Sequence, residues 1–148
     1  MNHPICDLRA VFAASNDEAE EFCLLFRRRA LEMGESFVFT AELLLREALT
    51  NAIVHGSRGD CQKQVLCAVR LAHRRVIIAV QDEGDGFDWR AVPKPPEESL
   101  DTRGRGIDLL RKYASRVRFN NKGNAVTLIV RRPLSEPVPS QDPTPITK

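Results

Sequence analysis

The part of the sequence that decides the fold is residues 47–56, which read Glu-Ala-Leu-Thr-Asn-Ala-Ile-Val-His-Gly. The polar residues Glu47, Asn51 and His55 are spaced four apart, which on an α-helix places them in one stripe. The stripe beside it is apolar and consists of Leu44, Leu45, Ala48, Leu49, Ala52 and Ile53. We therefore predict a helix whose polar stripe lies at the edge of its buried face.

This polar stripe offers oxygen atoms at the edge of the predicted core. Glu47 supplies a carboxylate and Asn51 a neutral carboxamide one turn away, a combination that suits Mg²⁺ shared with substrate phosphates. A glutamate in this position can also deprotonate a nucleophile. The alternative interpretation is a helix whose edge is merely polar. For His55 we expect a structural role, either capping helix carbonyls or filling the edge of the core.

A second candidate site follows an apolar strand predicted over residues 76–82. Residues 82–87 read Asp-Glu-Gly-Asp-Gly-Phe. Gly84 and Gly86 carry no side chain and let the backbone approach a flat ligand, while Asp82 offers an acceptor for an amino group such as that of adenine. An ordinary Asp-Gly turn is the competing interpretation.

A third candidate site is residues 104–107, Gly-Arg-Gly-Ile, between a loop predicted over 83–103 and a helix predicted over 106–115. Free backbone amides at the N-terminus of a helix bind phosphate, and glycines there remove obstructing side chains. Taken alone, this pattern is weakly specific. Neither Gly-x-x-x-x-Gly-Lys-[Ser/Thr] nor Gly-x-Gly-x-x-Gly occurs in the sequence, which excludes a P-loop and a dinucleotide-binding fingerprint.

The remaining elements are predicted from periodicity and turn signals around the decisive helix, which we place from Thr40 to Gly56. They are a strand over 6–13, a helix that begins at the Ser15 capping box and runs to Met33, a hairpin of strands 64–72 and 76–82, the helix over 106–115, and a hairpin of strands 117–120 and 125–131. This order predicts an α+β fold. We expect a two-layer α/β sandwich in which helices cover one face of a mixed, mostly antiparallel sheet of about five strands.

Composition excludes several classes of protein. The 148 residues include 22 Lys plus Arg and 20 Asp plus Glu, a net charge of +2 that does not favour direct binding to nucleic acid or to an anionic membrane. No apolar run approaches the roughly 20 residues of a membrane span, and the first residues lack the pattern of a cleaved signal, so we expect a cytoplasmic protein. The four cysteines lack zinc-binding spacing and are expected to be reduced thiols in or near the core.

Two segments stand apart from the rest of the chain. Residues 133–148 hold five of the nine prolines, which predicts a disordered tail after a single folded domain over 1–132. The run Arg27-Arg28-Arg29 lies near the end of the first predicted helix. We expect it to be a solvated face, favourably placed near the negative end of the helix, with contact to a partner protein as the alternative.

Together, the three motifs resemble the GHKL ATPase superfamily, which has the histidine-kinase-like ATPase domain and the Bergerat ATP-binding fold of gyrase, Hsp90, MutL and histidine kinases. The resemblance covers roughly residues 5–131. Within this superfamily, the lone domain and residues 47–56 and 104–107 look most like the anti-sigma-factor serine/threonine kinases of bacterial partner-switching systems.

The resemblance implies a role for the first two motifs. Glu47 would be the base that takes the proton from an attacking serine hydroxyl, and Asn51 would be the Mg²⁺ ligand beneath the triphosphate of ATP. Asp82 would bind the amino group of adenine, and Gly84 and Gly86 would admit the base and ribose. The protein part of this machinery would mainly position the reactants and neutralise charge.

The resemblance also implies how the phosphates are held. Residues 88–103 would be a lid over the nucleotide. Gly104 and Gly106 would bind phosphate through their backbone amides, and Arg105 would reach phosphate or the incoming partner.

One segment departs from the family pattern. Gly-Asn-Ala at 123–125 stands where such families commonly carry Gly-Thr-Thr, whose hydroxyl helps to hold adenine through water. Thr127 is two residues further on and therefore lies on the same strand face as Ala125. It is the candidate substitute for the missing hydroxyl.

The function implied is that of an ATP-dependent protein serine/threonine kinase that also acts as an anti-sigma factor. Its partners would be a sigma factor and a STAS-type anti-anti-sigma factor, and a homodimer is usual in such families. The alternative is an ATP-binding partner-switch module without phosphoryl transfer. A metabolic or DNA-topology ATPase would need coupled domains, for which we expect no room in this chain.

Overall fold

The computed structural model describes residues 6–90 and 102–133, which form one sheet covered by helices. The strands are β1 Cys6–Ala13, β2 Gln64–Leu71, β3 Arg75–Asp82, β4 Arg116–Phe119 and β5 Ala125–Arg131. The helices are α1 Asn16–Ala30, α2 Glu35–Thr50 and α3 Thr102–Tyr113. The strand order is β1-β2-β3-β5-β4, and each neighbouring pair is antiparallel. The predicted α+β sandwich is confirmed, with antiparallel pairing throughout the described sheet instead of mixed pairing.

The sheet has one buried and one open face because side chains alternate along each strand. The buried residues of β2 are Val65, Cys67, Val69 and Leu71. They belong to a single core with the apolar sides of the helices, whose largest fully buried members include Phe26, Leu44, Leu45, Leu49, Ile78, Leu110 and Leu128. On the open face, Asp7 of β1 and Arg70 of β2 form an exposed ion pair at 3.1 Å. Helices on one face of the sheet were predicted, and this is confirmed.

Helix α1 begins as its sequence predicts. The backbone N–H of Glu18 donates to the hydroxyl of Ser15 at 3.3 Å, which satisfies one of the free amides of the first turn. Its end differs slightly from the prediction, because the α-helical geometry stops at Ala30 and one 3₁₀ turn, Leu31–Met33, continues to Gly34. Tight 3₁₀ turns are common at helix ends.

Helix α2 begins at Glu35, so the predicted start at Thr40 is wrong. Gly34, which was expected only to stop the preceding helix, also precedes the next one. Its φ of 100° is a conformation that favours glycine, and it lets the chain leave one helix and enter another within a single residue. Phe37 and Val38, which the predicted boundary left outside the helix, are thereby buried in the core.

The decisive stretch is not one continuous α-helix. Helix α2 ends at Thr50, and the segment Asn51–Gly56 winds as a wider π-helical turn, called the π turn below. The six apolar residues of the predicted stripe are all buried, which confirms that face of the helix. Segments of π-helix are rare and often lie at functional sites.

Helix α3 begins at Thr102 and ends at Tyr113, whereas residues 106–115 were predicted. Gly104 therefore lies in the first turn, where amides have no partner within the helix. Gly106 lies beyond that turn, where the i to i−4 pattern directs its N–H to the carbonyl of Thr102. Of the two glycines, only Gly104 keeps the position expected for an amide that binds phosphate.

A charged network joins α1 to α2. Glu42 is 5% exposed and accepts two hydrogen bonds from Arg27, at 2.8 and 2.6 Å, and two from Arg46, at 3.1 and 3.0 Å. Arg46 also pairs with Glu20 of α1. Arg27, Arg28 and Arg29 are exposed, as predicted for a solvated face, and Arg27 in addition forms an ion pair with the buried Glu42. We call Glu20, Arg27, Glu42 and Arg46 the α1–α2 network.

Some expectations fall outside residues 6–90 and 102–133. Apart from Pro133, the tail predicted over 133–148 lies outside the described residues, and so does most of the predicted lid, residues 91–101. Within the described ranges, no helix is both long and apolar enough to cross a membrane. Cys23 and Cys67 are buried free thiols, as expected, whereas Cys61 is exposed.

Candidate functional site

A cavity of about 330 Å³ opens at the edge of the sheet where β3 ends and β5 begins. The π turn forms one wall and the segments around residues 82–87 and 119–126 form the others. Its polar lining residues include Asn51, His55, Arg58, Asp82 and Asn124. Its apolar lining residues include Ala48, Ala52, Val80, Phe87, Ile107, Phe119 and Val126. An apolar pocket with a few convergent polar groups is typical of a small-molecule site.

Asp82 is the buried acid of this cavity. Its side chain is held at one oxygen, because the backbone N–H of Gly84 donates to Oδ1 at 2.7 Å. The carboxylate lies against Gly56, where an added Cβ would come within 2.2 Å of Cγ and Oδ2. Burial raises the pKa of Asp82, and the Gly84 hydrogen bond partly opposes that rise. A desolvated carboxylate with a hydrogen-bond donor at only one of its two oxygens is suited to accept a hydrogen bond from a ligand at the other.

The glycines after Asp82 are required by backbone packing. A Cβ on Gly84 would lie 2.1 Å from the carbonyl oxygen of Gly56, and one on Gly86 would lie 1.8 Å from that of Lys122. Gly86 also has a φ of 80°. Gly86 lines the cavity, and Gly84 holds the Asp82 side chain through its backbone N–H. Both were predicted to make room for a ligand, and the structure adds that both let neighbouring loops approach.

Glu47 and Asn51 converge beside α3. A Cβ on Gly106 would lie 3.1 Å from Oε2 of Glu47 and 3.3 Å from Oδ1 of Asn51, so both oxygens approach the same point. Asn51 lines the cavity, while Glu47 lies one turn further along the helix. Burial raises the pKa of Glu47. The structure thus brings together the carboxylate and the carboxamide that their spacing predicted.

This pair of oxygens fits a magnesium ion that takes its other ligands from phosphate and water. Among the described residues, no group of three or more His, Cys, Asp or Glu side chains could hold a metal by itself. Mg²⁺ is usually bound by one or two protein oxygens together with substrate phosphates. The donor set near Gly106 therefore matches a shared ion better than a permanent protein site.

Three predicted site residues either lack a described side-chain environment or lie away from the cavity lining. Gly104 is in the first turn of α3, and the side chain of Arg105 is not described, so its proposed contact stays a prediction. Thr127 is exposed between the buried Val126 and Leu128, on the open face of the sheet. Thr127 is not among the residues that line the cavity, and its proposed contact to adenine stays a prediction.

The segment that connects β4 to β5 supplies a polar residue that sequence reasoning missed. Asn124 lines the cavity, and its side-chain Nδ2 donates to the backbone carbonyl of Asp82 at 3.0 Å. The backbone N–H of Asp82 donates in turn to the carbonyl of Asn124 at 2.9 Å. Asn120 braces this turn, because its Oδ1 accepts from three successive backbone N–H groups at 2.8 to 3.2 Å. The departure from Gly-Thr-Thr at residue 124 was the sequence signal that could have identified Asn124 as a residue of the site.

An aromatic cluster forms another unpredicted part of the site. Phe87 and Phe119 line the cavity and contact each other edge to face, with ring centroids 5.6 Å apart. Trp89 stacks on the other side of Phe119 at 5.4 Å, and its Nε1 donates to the carbonyl of Asn120 at 3.1 Å. Such contacts give an apolar wall a defined shape. Their sequence signal is weak, because single aromatics in loops have no periodicity.

Comparison with protein families supports this geometry. Residues 12–130 match the family described as the histidine kinase-like ATPase domain. Because this match spans most of the sequence, the chain belongs to that family.

Individual relatives are more distant. The Anti-sigma F factor of Bacillus subtilis (strain 168) is 27% identical over 90 residues, covering 58% of this chain and 62% of the relative. The protein of the same name from Bacillus thuringiensis (strain Al Hakam) is 28% identical over 97 residues, covering 62% and 66%. The chain thus spans somewhat less than two thirds of the curated relatives that it matches.

A solved structure shares the fold. It is the crystal structure of the RsbU and RsbW domains of Rv1364c from Mycobacterium tuberculosis, which is 18% identical and superposes with a TM-score of 0.58. The match covers 84% of this chain and 31% of that one.

Proposed function

We propose that this member of the histidine kinase-like ATPase family is an ATP-dependent protein serine/threonine kinase that acts as an anti-sigma factor. It would phosphorylate a STAS-type anti-anti-sigma factor in a partner-switching system. The observation that carries the proposal is that Asn51 and the buried Asp82 line one cavity, while Glu47 Oε2 lies with Asn51 Oδ1 beside Gly106. Asp82 suits recognition of a nucleobase such as adenine, and the oxygens of Glu47 and Asn51 suit a phosphate-bound cation.

The cavity supports binding of the adenine base. Oδ1 of Asp82 is engaged by Gly84, and Oδ2 is proposed to accept from the 6-amino group. Val80, Ile107 and Phe119 supply apolar surface on which the base would be buried. Because the site is desolvated, a base that lacks the amino group would leave the Asp82 carboxylate without a partner, which is costly.

Phosphoryl transfer is proposed at the other end of the cavity. Asn51 would bind Mg²⁺ through its amide oxygen, and the ion would neutralise charge on the phosphates. Glu47 would take the proton from the serine hydroxyl of the partner as that oxygen forms a bond to the γ-phosphorus. The bond between this phosphorus and the β–γ bridging oxygen would break, and ADP would leave. Burial raises the pKa of Glu47, which brings a carboxylate closer to the range of an effective general base. Amides of the first turn of α3, including that of Gly104, and Arg105 are proposed to hold phosphate.

The proposed protein partners rest on the curated relatives, whose names describe them as anti-sigma factors. We extend this to a sigma factor bound by this chain, to a STAS-domain substrate, to a homodimer and to action in the cytoplasm. A net charge of +2 agrees with partners that are proteins, with no direct contact to nucleic acid or membrane.

The test incubates the full chain with labelled ATP, Mg²⁺ and the STAS proteins of its own genome. The expected result is label on a serine of one STAS protein and binding of a sigma factor by the same chain. Asp82→Asn is expected to weaken ATP binding about 100-fold in a calorimetric titration, because it replaces a charged acceptor by a neutral amide.

The outcomes separate the possibilities. ATP binding without transfer to any STAS protein would leave a partner-switch module and overturn the kinase. Unchanged ATP affinity in Asp82→Asn would overturn the adenine assignment. Transfer without binding of a sigma factor would retain the kinase and remove the anti-sigma role.

A further inference from the structure

We infer that Asn124 is a positioning residue that sets how strongly the site selects adenine, by holding the peptide groups on both sides of Asp82. This inference rests on the proposed binding of ATP. It concerns the segment between β4 and β5, to which neither the three motifs nor the proposed mechanism assigns a task.

The contacts form a two-point clamp. The N–H of Asp82 donates to the carbonyl of Asn124 at 2.9 Å, and the carbonyl of Asp82 accepts from Nδ2 of Asn124 at 3.0 Å. Asp82 is the last residue of β3 and still pairs with Val65 of β2, so these bonds continue the ladder on the other side, where the register with β5 has ended. The clamp fixes the backbone from which the carboxylate projects.

The clamp is itself braced. Nδ2 of Asn120 donates to Oδ1 of Asn124 at 2.6 Å, which orients the Asn124 amide so that its own Nδ2 faces Asp82. Oδ1 of Asn120 accepts from the backbone N–H groups of residues 123, 124 and 125. Gly123, with a φ of 81°, fits against Phe87 so closely that an added Cβ would lie 2.1 Å from the Phe87 carbonyl oxygen.

The orientation of the Asp82 backbone matters because the carboxylate has little freedom to rotate and compensate for a shift. Gly84 holds Oδ1, and Gly56 lies against Cγ and Oδ2. A shift of the Asp82 backbone would therefore misdirect Oδ2. The affinity for the 6-amino group would fall, while the contacts to the rest of the nucleotide would remain. Asn124 is thus expected to affect the choice of base more than the overall binding of triphosphate.

The test measures dissociation constants for ATP and for purine riboside triphosphate, which differs from ATP only by lacking the 6-amino group. The full chain is compared with Asn124→Ala and with Asn121→Ala, a matched control at an exposed position of the same turn. We expect Asn124→Ala to weaken ATP binding about tenfold and purine riboside triphosphate binding less than threefold, the scale of one lost hydrogen bond. The control should keep the selectivity of the parent protein.

The ratio of the two dissociation constants distinguishes a positioning effect on Asp82 from a general loss of folded protein. Partial unfolding lowers the apparent affinity for both nucleotides equally and leaves their ratio unchanged. If Asn124→Ala does not fold, Asn124→Ser supplies the measurement, because serine is well tolerated in turns but too short to reach the Asp82 carbonyl. An unchanged ratio in the folded variant would overturn the inference. A parent protein that binds neither nucleotide would instead overturn the proposed function.

Discussion

Two glutamates of helix α2 show how one helix separates structure from chemistry. Glu42 and Glu47 are five residues apart and therefore point about 140° away from each other around the helix. Glu42 faces α1, is almost fully buried and is held by Arg27 and Arg46. Glu47 faces α3 and, within the described ranges, has no ion-pair partner.

The environments of the two glutamates shift their pKa values in opposite directions. Hydrogen bonds and charge from Arg27 and Arg46 outweigh burial and lower the pKa of Glu42. Burial alone raises the pKa of Glu47. A buried carboxylate with two cations stabilises a helix pair, whereas one without a cation costs stability and stays available to a proton or a metal. The difference teaches that the α1 side of the helix is built for stability and the α3 side for reactivity.

The largest expected effect comes from Glu47→Gln, which keeps the shape and removes the base. We expect phosphoryl transfer to a STAS protein to fall about 1,000-fold, within the range attributed to general-base catalysis. ATP affinity and thermal stability should be unchanged or slightly higher, since a desolvated charge is removed. Single-turnover kinetics with labelled ATP measure the first quantity and calorimetry the others. Transfer at the parent rate would remove Glu47 from the reaction.

The reciprocal change, Glu42→Gln, should affect stability instead. Removing the charge leaves Arg27 and Arg46 without their shared partner, but both guanidinium groups keep contact with water, so we expect the free energy of unfolding to fall by about 1–2 kcal/mol. Urea denaturation measures this. Glu21→Gln is the matched control on the exposed surface of α1, where a change within about 0.5 kcal/mol is expected. A Glu42→Gln protein as stable as the control would mean that the α1–α2 network contributes nothing.

The smallest expected effect is a contrast in pH dependence between Glu42 and Asp82. Glu42 has a lowered pKa, so its stabilising contribution is present above the ordinary value of 4.5 and is lost as the pH falls through its folded value. Asp82 has a raised pKa, so its ionisation costs stability at neutral pH, and this cost disappears as the pH falls from its folded value through 3.8.

The corresponding variants should therefore differ in sign at pH 7. The free energy of unfolding of Asp82→Asn is expected to be up to about 1 kcal/mol higher than that of the parent protein, while that of Glu42→Gln is lower. In urea titrations at a series of pH values, the difference for Asp82→Asn should disappear as the pH falls from the folded pKa of Asp82 through 3.8. The difference for Glu42→Gln should shrink as the pH falls below 4.5 through the folded pKa of Glu42. A destabilised Asp82→Asn at pH 7 would contradict the assigned cost of burying Asp82.

Much of this arrangement follows from local sequence pattern. The apolar stripe of α2, both hairpins and the capping of α1 by Ser15 all depend on residues close in sequence, and these predictions agree with the structure. The spacing of Glu47 and Asn51 likewise places their oxygens near one point.

The features that could not be predicted depend on contacts between distant segments. The π turn lies against β3 and α3, so its wider winding has no signature in a four-residue spacing. Thr127 and Ala125 share a strand face as predicted, but only the position of the helices decides that this face is the open one. Asn124 lies in a turn without periodicity, and its role depends on Asp82, which is 42 residues away in the sequence.

Trp89 gives the molecule a natural optical reporter. It is the only tryptophan in the chain, and it stacks on Phe119, a ring that lines the cavity. Its indole also lies beside the guanidinium of Arg90, 4.1 Å from the ring centre, and donates to Asn120, which braces the turn next to Asp82. Its fluorescence emission therefore originates one aromatic ring away from the proposed adenine site, where occupancy of the cavity can be followed in unlabelled protein.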